Sequence, residues 1–287
     1  ALAALILIWG TTWAAIRVGL TGIPPLTGIA LRFGLAAVAL LALVPVFKVR
    51  LGTTPAERRL WVANALLTFC LCYGIVYWAE QWVPSGLMAV LFATYPLWVA
   101  LLAHFAIPGE RLRPVAVAGV LTGFAGVAVI FSEDLRALGG PGIALAAAVA
   151  LLAPVSAAFA SVAVKKWGSE VHPLSISAVP MGLTALIVGP LAAVFDADRG
   201  VTFNRASVLA LLYLSLFGSA LTFTLYFWLL KRLPVSQLAL FNYVTPIIAV
   251  LTGSLLLDET LTLRILLGSA LVVGGVALAV RMRPKTG

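Results

Sequence analysis

The chain has 287 residues, of which 62% are hydrophobic and 10% charged, and its mean hydropathy is +1.11. Soluble domains carry about 25% charged residues, so this chain cannot cover a water-facing surface, and a soluble globular class is excluded. The net charge of +9 does not point to nucleic acid, because the basic residues sit at the ends of apolar runs and are not gathered on one module.

Ten apolar runs follow one another, near residues 1–20, 25–47, 58–80, 84–106, 112–131, 141–164, 172–195, 206–230, 235–257 and 262–281. Runs of about 20 residues with short gaps are the hydropathy signature of spanning helices. The alternating segments of a membrane barrel are missing. The first run opens at Ala1, already apolar, and ends on Arg17; it reads as a span and not a signal peptide, with a native start expected upstream. The second carries Arg32 about a third of the way in. The third holds Cys70 and Cys72, and positions i and i+2 of a helix point to nearly opposite sides. The pair therefore forms neither a disulfide nor a metal site and reads as packing. Pro24-Pro25, Pro84, Pro108-Gly109, Gly139-Gly140-Pro141, Pro173 and Pro234 punctuate the runs, and no gap is long enough for a soluble domain.

Positive charge sets the orientation. With the N-terminus cytoplasmic, thirteen Lys and Arg fall in inside gaps and five in outside gaps, with Arg32 within its span. That bias predicts both termini inside. The chain also resembles itself at a shift of 148 to 150 residues. Trp78, Pro84, Ala89 and Pro96 recur as Trp228, Pro234, Ala239 and Pro246; Glu110, Gly119 and Gly126 recur as Glu259, Gly268 and Gly275; Gly19 and Gly34 recur as Gly168 and Gly182. Five spans per copy is an odd number, so the second copy is inverted relative to the first. The expected fold is an all-α integral membrane protein of ten transmembrane helices in two inverted five-helix repeats, residues 1–137 and 138–287. Transporters built this way hold substrate near the midplane between the halves.

Three groups of residues resemble a known family. Trp9-Gly10-Thr11-Thr12 through Ala15-Ile16-Arg17 is similar to the first-helix motif of the EamA-type drug/metabolite transporters. Pro24-Pro25 with Ala30-Leu31-Arg32-Phe33 is similar to the second helix. Ala93-Thr94-Tyr95-Pro96-Leu97 with Gly109-Glu110-Arg111-Leu112, and again Val244-Thr245-Pro246 with Asp258-Glu259-Thr260-Leu261, resemble the end of the family's repeat. The resemblance implies ten helices, a bacterial inner-membrane location and export of amino acids or related metabolites. The aromatic-rich spans resemble an exporter of aromatic amino acids. The second copy departs from the first at Pro180, which stands where the first has Arg32, so any role for that Arg is not symmetric.

The candidate lining of a substrate cavity is aromatic with few polar groups, as small-molecule sites usually are. Tyr73 and Tyr77 share a helical face at i, i+4. Asn242 and Thr245 lie at i, i+3, and their repeat partners are Phe92 and Tyr95. Thr12 matches Ser161, and Ser156 with Phe159 forms a further i, i+3 pair. Trp13, Trp98, Tyr213 and Trp78 complete the set. Trp61, Trp82, Trp167 and again Trp78 fit an interfacial aromatic belt. Pro96 and Pro246 kink matched helices and free the carbonyls of Phe92 and Asn242; a static kink and a pivot are both open readings. Arg32 either meets a substrate carboxylate or pairs with backbone carbonyls. Arg17, Glu80, Lys165 and Lys166 lie near helix ends and are expected to snorkel, and His104 reads as a packed interfacial residue.

No Asp or Glu stands at the centre of a span, so passage without a buried carboxylate relay is expected. Arg32 alone is thin provision for phosphorylated substrates, and an amino-acid-like cargo fits better. No HExxH, metal-spaced His/Cys set or Walker lysine is present, which argues against an enzyme and against a metal or cofactor. Gly119-x-x-x-Gly123 and Gly275-x-x-x-Ala279 permit close helix approach, within the bundle or at a dimer seam; a monomer among membrane lipid is expected. The leading reading is a secondary exporter of amino acids, aromatic or other neutral ones. Import or export of other metabolites or drugs, and an intramembrane lipid-handling enzyme, are the alternatives.

Overall fold

The computed structural model describes residues 2–108, 114–133, 140–230, 232 and 241–281, without the side chains of residues 230, 241–243 and 279–281. Glu110, Pro234 and Ala239 of the repeat, and the side chains of Asn242 and Ala279, lie outside the described residues. Among the described residues there are ten helical runs: α1 (Leu2–Gly19), α2 (Pro25–Val46), α3 (Pro55–Ala79), α4 (Ser85–Ala106), α5 (Pro114–Phe131), α6 (Ile143–Trp167), α7 (Pro173–Phe195), α8 (Arg205–Leu229), α9 (Phe241–Leu257) and α10 (Leu263–Arg281). The first eight are long and apolar enough to cross a membrane, and α9 and α10 contribute the shorter apolar stretches Val244–Leu257 and Leu263–Leu278. Among the described residues there is no strand. In hydrocarbon a segment must satisfy its own backbone polar groups, which the helix does.

Local chemistry sets the helix starts. Pro25, Pro55 and Pro173 each open a helix, where the missing N–H costs nothing. Thr54 accepts from the Glu57 N–H at 3.1 Å, so α3 begins three residues before hydropathy placed it. Asn204 Oδ1 accepts from the Ser207 N–H at 2.8 Å and caps α8.

Packing pairs the helices in an orderly way. α2 packs on α7, α5 on α10, α1 on α9 and α8, and α6 on α4 and α3. Exchanging the two halves of the chain converts this set of contacts into itself. A Cβ built on Gly34 would lie 3.5 Å from that of Ala185, and one on Gly182 would lie 3.6 Å from that of Ala37. As α2 advances from 34 to 37, its contacts on α7 recede from 185 to 182, so the two helices run antiparallel. Asp196, at the end of α7, accepts from the backbone N–H of Thr27, at the start of α2, at 2.8 Å.

The same holds for α5 and α10. Gly126 faces Gly268 and Val272, while Gly275 faces Gly119 and Gly123. A Cβ on Gly126 would stand 2.6 Å from the Gly268 carbonyl oxygen. The small-residue pattern therefore packs α5 against α10 within the bundle, with backbone close to backbone. Lipid-sized apolar side chains such as Val38, Leu121, Leu186 and Leu255 are exposed on the outside. In water such a surface would be an aggregation liability; in a bilayer it is matched to its solvent.

Three irregularities shape the interior. α3 widens to a π-helix over Ala65–Cys72, and α8 does the same over Leu216–Leu221, at corresponding places in the two halves. Their carbonyls find side-chain donors: Ser156 Oγ reaches Leu67 O at 2.7 Å, Thr184 Oγ1 reaches Ala65 O at 3.4 Å, and the Arg32 guanidinium reaches Gly218 O at 3.3 Å. π-segments of this kind cluster at functional sites. In addition, α4 breaks at Ala93–Thr94, just before Pro96, which has no N–H to donate to the Phe92 carbonyl. The matched Pro246 lies inside a helix that continues through it.

Candidate functional site: a central aromatic cavity

A cavity of about 110 Å³ lies between α1, α3 and α4 of the first half and α6, α8 and α9 of the second. That is several times the roughly 10–15 Å³ needed by one water. Its wall is built from rings. Trp13 meets Phe92 with centroids 5.3 Å apart, and Phe92 stacks on Tyr95 at 5.9 Å. Opposite, Trp9 contacts Phe223 at 5.4 Å and Tyr226 at 5.5 Å, and Tyr226 meets Phe227 at 5.3 Å. Tyr73 adds a further ring, 6.2 Å from Phe223.

A few polar atoms interrupt the rings. The Tyr95 hydroxyl donates to Ser161 Oγ at 2.6 Å and lies 3.3 Å from the Tyr226 hydroxyl. Thr68 Oγ1 donates to Asn64 Oδ1 at 2.7 Å, and the Asn64 amide is anchored on the Ile176 carbonyl at 3.1 Å. Thr12 donates to the Trp9 carbonyl at 2.8 Å. Thr245 Oγ1 is buried with no hydrogen-bond partner. Among the described residues no charged side chain lines the cavity.

One cation stands directly behind the wall. Arg32 is completely buried. Its Nε–H donates to Ser219 Oγ at 2.8 Å, and its other nitrogens donate to the Tyr77 hydroxyl at 3.4 Å and to Gly218 O. Its guanidinium carbon lies 4.8 Å from the centroid of Tyr73. The carbonyl-paired reading of Arg32 is thus the geometry found. Its charge reaches the cavity as a field through one aromatic ring, not as a contact.

The structure brings together at the cavity Thr12, Trp13, Tyr73, Phe92, Tyr95, Thr245 and Pro246. Tyr77 stands with Arg32 behind the wall. Ser156 is spent on the Leu67 carbonyl, and Tyr213 bonds Thr11 Oγ1 at 2.6 Å in the seam between α1 and α8. Trp78 packs on Trp82 at 5.1 Å, and Trp98 packs on Phe124 at 5.1 Å. Phe159 points outward, 51% exposed. The lining also holds residues not singled out from sequence: Trp9, Asn64, Thr68, Phe223, Tyr226 and Phe227. Three of these were legible through the repeat, because Tyr73, Val76 and Tyr77 map onto Phe223, Tyr226 and Phe227 at a shift of 150. Cys72 lines the cavity while Cys70 bonds Thr184 at 3.7 Å, within the π-segment of α3.

Glu80 corrects an expectation. It sits just past the end of α3, where a long side chain can usually reach water. It is instead fully buried, and both carboxyl oxygens lack a hydrogen-bond partner. The reason is the chain around it. The Glu259 carboxylate reaches across to the start of α4, accepting from Ser85 N–H at 2.6 Å and Gly86 N–H at 2.9 Å. That contact folds the α9–α10 turn over this end of the bundle. Ala79, Val83 and Ser85 are completely buried beside it. A carboxyl group is therefore buried at the end of α3, although none stands at the centre of a span.

The comparisons with known proteins agree with this architecture. The pattern of the EamA-like transporter family matches residues 1–132 and again residues 144–281. The chain is 27% identical over 270 residues to the transporter YoaV of Bacillus subtilis, covering 94% of this chain and 92% of that protein. It is 33% identical over 268 residues to the inner membrane transporter YedA of Escherichia coli, covering 91% and 83%. A solved crystal structure superposes with a TM-score of 0.73 at 24% identity, over 97% of this chain and 94% of the other, which establishes the likeness of fold. A multi-pass helical membrane protein, matched twice by one pattern and built around a cavity between its halves, is accounted for by a single assignment: the chain belongs to the EamA-like transporter family.

Proposed function

We propose that the protein is a secondary transporter that exports amino acids, aromatic or other neutral ones, and related small metabolites through the central cavity. The observation that carries this reading is the lining: rings from both halves, hydroxyls at their edges, and one cation held behind Tyr73. An α-ammonium group is attracted to aromatic faces. A carboxylate is attracted by the uncompensated field of Arg32, which low dielectric strengthens. A zwitterion satisfies both, and an apolar or aromatic side chain fills the rest. Phosphorylated cargo fits less well, because it needs direct Arg or Lys contacts and no described charged side chain lines the cavity.

Alternating access follows from the chain's organisation in this reading. All ten helices span, in two inverted repeats at residues 1–137 and 138–287. The exchange-symmetric packing and the antiparallel pairing of α2 with α7 and of α5 with α10 support that inversion. Rocking of one half on the other would expose the cavity to each side in turn. The break at Pro96 and the proline in α9 supply compliant points next to the substrate. The protein is placed in a bacterial inner membrane with both termini cytoplasmic, supported by the basic-residue bias and by the location in the name of its relative YedA. It acts as a monomer surrounded by lipid.

The test is growth of cells expressing the protein on toxic amino-acid analogues. Resistance to analogues of phenylalanine or other neutral amino acids, lost on plugging the cavity, is the expected result. Sensitivity unchanged for the whole set, with resistance to organic cations or dyes instead, would overturn the substrate class.

A further inference from the structure

Glu80 differs from every other buried or half-buried acidic residue among those described. Glu259 and Asp196 hold backbone N–H groups at helix starts, and Glu57 accepts from Thr53 and Ser175. Glu80 has no donor on either oxygen. Among the described residues, the charged and titratable groups that face it are Arg17 from α1, Glu259 from the α9–α10 turn and Arg32 from α2, with Tyr77 one turn back on α3. The packed first turns of α4 and α6 bring no ionisable group. Arg17 faces Glu80 with an opposite charge but gives its carboxyl oxygens no hydrogen bond; its guanidinium donates to the main-chain carbonyl of Glu80. Arg32 is already committed to Ser219, Tyr77 and Gly218. Glu259 has two backbone donors, which Glu80 lacks. A second charge beside it, stripped of both water and donors, is strongly disfavoured. A neutral carboxylic acid carries no such penalty.

We propose that Glu80 is a proton-binding site that gates this end of the bundle: the end closes only with Glu80 protonated, and opening it to water releases that proton. The O–H bond of the carboxylic acid breaks, its electron pair stays on the oxygen, and the proton passes to water at the opened end. Reclosure takes a proton back from the same side. No oxidant or co-reactant is involved. The direction follows from linkage: the closed state binds one proton more than the open state, so acidic conditions on that side favour closure and alkaline conditions favour opening. The gate regulates the transport cycle proposed above and rests on that reading for its purpose. The protonation itself does not.

Two measurements on the full chain in lipid test this. Infrared spectra at neutral pH should show a protonated-carboxyl C=O band, sensitive to H2O/D2O exchange, that disappears in Glu80→Gln. Identical carboxyl bands in the two proteins would overturn the proposal. In a background lacking Cys70 and Cys72, a cysteine placed at Val83 should be labelled by a membrane-impermeant maleimide several-fold faster at alkaline than at acidic pH, with each rate taken relative to the unfolded protein at that pH. With Glu80→Gln, which mimics the protonated acid, labelling should stay slow at every pH. If the pH dependence survives in Glu80→Gln, another group gates this end. If no amino acid is carried but both Glu80 results hold, the substrate assignment fails and the proton site stands.

Discussion

Tyr95 of α4 donates its hydroxyl to Ser161 of α6 at 2.6 Å, joining the two halves of the chain across the cavity wall. The bond sits one residue from Pro96 and beside the stacked ring of Phe92. Tyr95→Phe keeps the stack and removes the donor, leaving Ser161 to find water in the cavity. A neutral hydrogen bond contributes about 1 kcal/mol, so the variant should unfold only slightly earlier. Its transport should fall through a raised KM, because the polar edge of the site is lost. Equal losses of KM-independent rate and stability would mean that the bond is only structural.

Arg32 should tolerate no replacement. Arg32→Ala leaves Ser219 and the Gly218 carbonyl of the α8 π-segment without their donor and opens a cavity between α2, α3 and α8. Breaking a buried charged network typically costs about 3–5 kcal/mol. Arg32→Lys should recover only part of this, because an ammonium cannot reproduce the planar fork that meets Ser219, Tyr77 and Gly218 together. Thermal unfolding in detergent checks the order wild type, Lys, Ala. Equal stability of Lys and Arg would contradict the geometry.

Thr245→Val separates stability from function. The Thr245 hydroxyl is buried without a partner, and replacing such a group by an apolar one of the same shape is neutral or stabilising by up to about 1 kcal/mol. If that hydroxyl is held in reserve for substrate, affinity should drop while the unfolding temperature holds or rises. A variant that loses stability would show that Thr245 has a structural partner.

The helix seam at α5 and α10 gives a purely structural test. A Cβ at Gly126 would lie 2.6 Å from the Gly268 carbonyl oxygen and 2.7 Å from Val272 N, both backbone atoms that cannot rotate away. Gly126→Ala should therefore destabilise the protein by about 1–3 kcal/mol, the usual cost of overpacking. Gly274→Ala, with nothing within 4 Å of its Cβ position, should be neutral or stabilising by about 0.5–1 kcal/mol through helix propensity. Comparable unfolding of the two variants would show that α5 and α10 stand farther apart.

Much of this was legible in the chain. Hydropathy marks the helices because lipid leaves no other way to satisfy a backbone. The spacing of Gly119, Gly123 and Gly275 announced a close seam, and the 150-residue echo pointed to matched helices that turn out to pack on one another. Thr12, Trp13, Tyr73, Phe92, Tyr95 and Thr245 could be chosen by helical face and by their repeat partners. Phe159 could not be rejected that way: it shares a face with Ser156 in projection, yet it is exposed while Ser156 is buried. Asn64 and Thr68 are an isolated polar pair within an apolar run, and neither an aromatic face nor the repeat marks them. The π-segment of α3 carries no Pro or Gly to announce it and that of α8 only Gly218, and their freed carbonyls explain why Ser156 and Arg32 point away from the cavity. Glu80 was misplaced for a tertiary reason, since a helix-end carboxyl is exposed unless a distant segment covers it, and Glu259 brings that segment.

The most direct measurement is counterflow of labelled phenylalanine in proteoliposomes containing the wild-type protein and Ala157→Phe. Ala157 lines the cavity from α6 and is buried, so a ring placed there occupies the space assigned to substrate. Saturable uptake by the wild type, reduced at least about tenfold in a variant that remains folded, a loss of about 1.4 kcal/mol or more, is the predicted result. Unchanged flux in the plugged variant, or no flux of any of the twenty amino acids through the wild type, would contradict passage of an amino acid through this cavity.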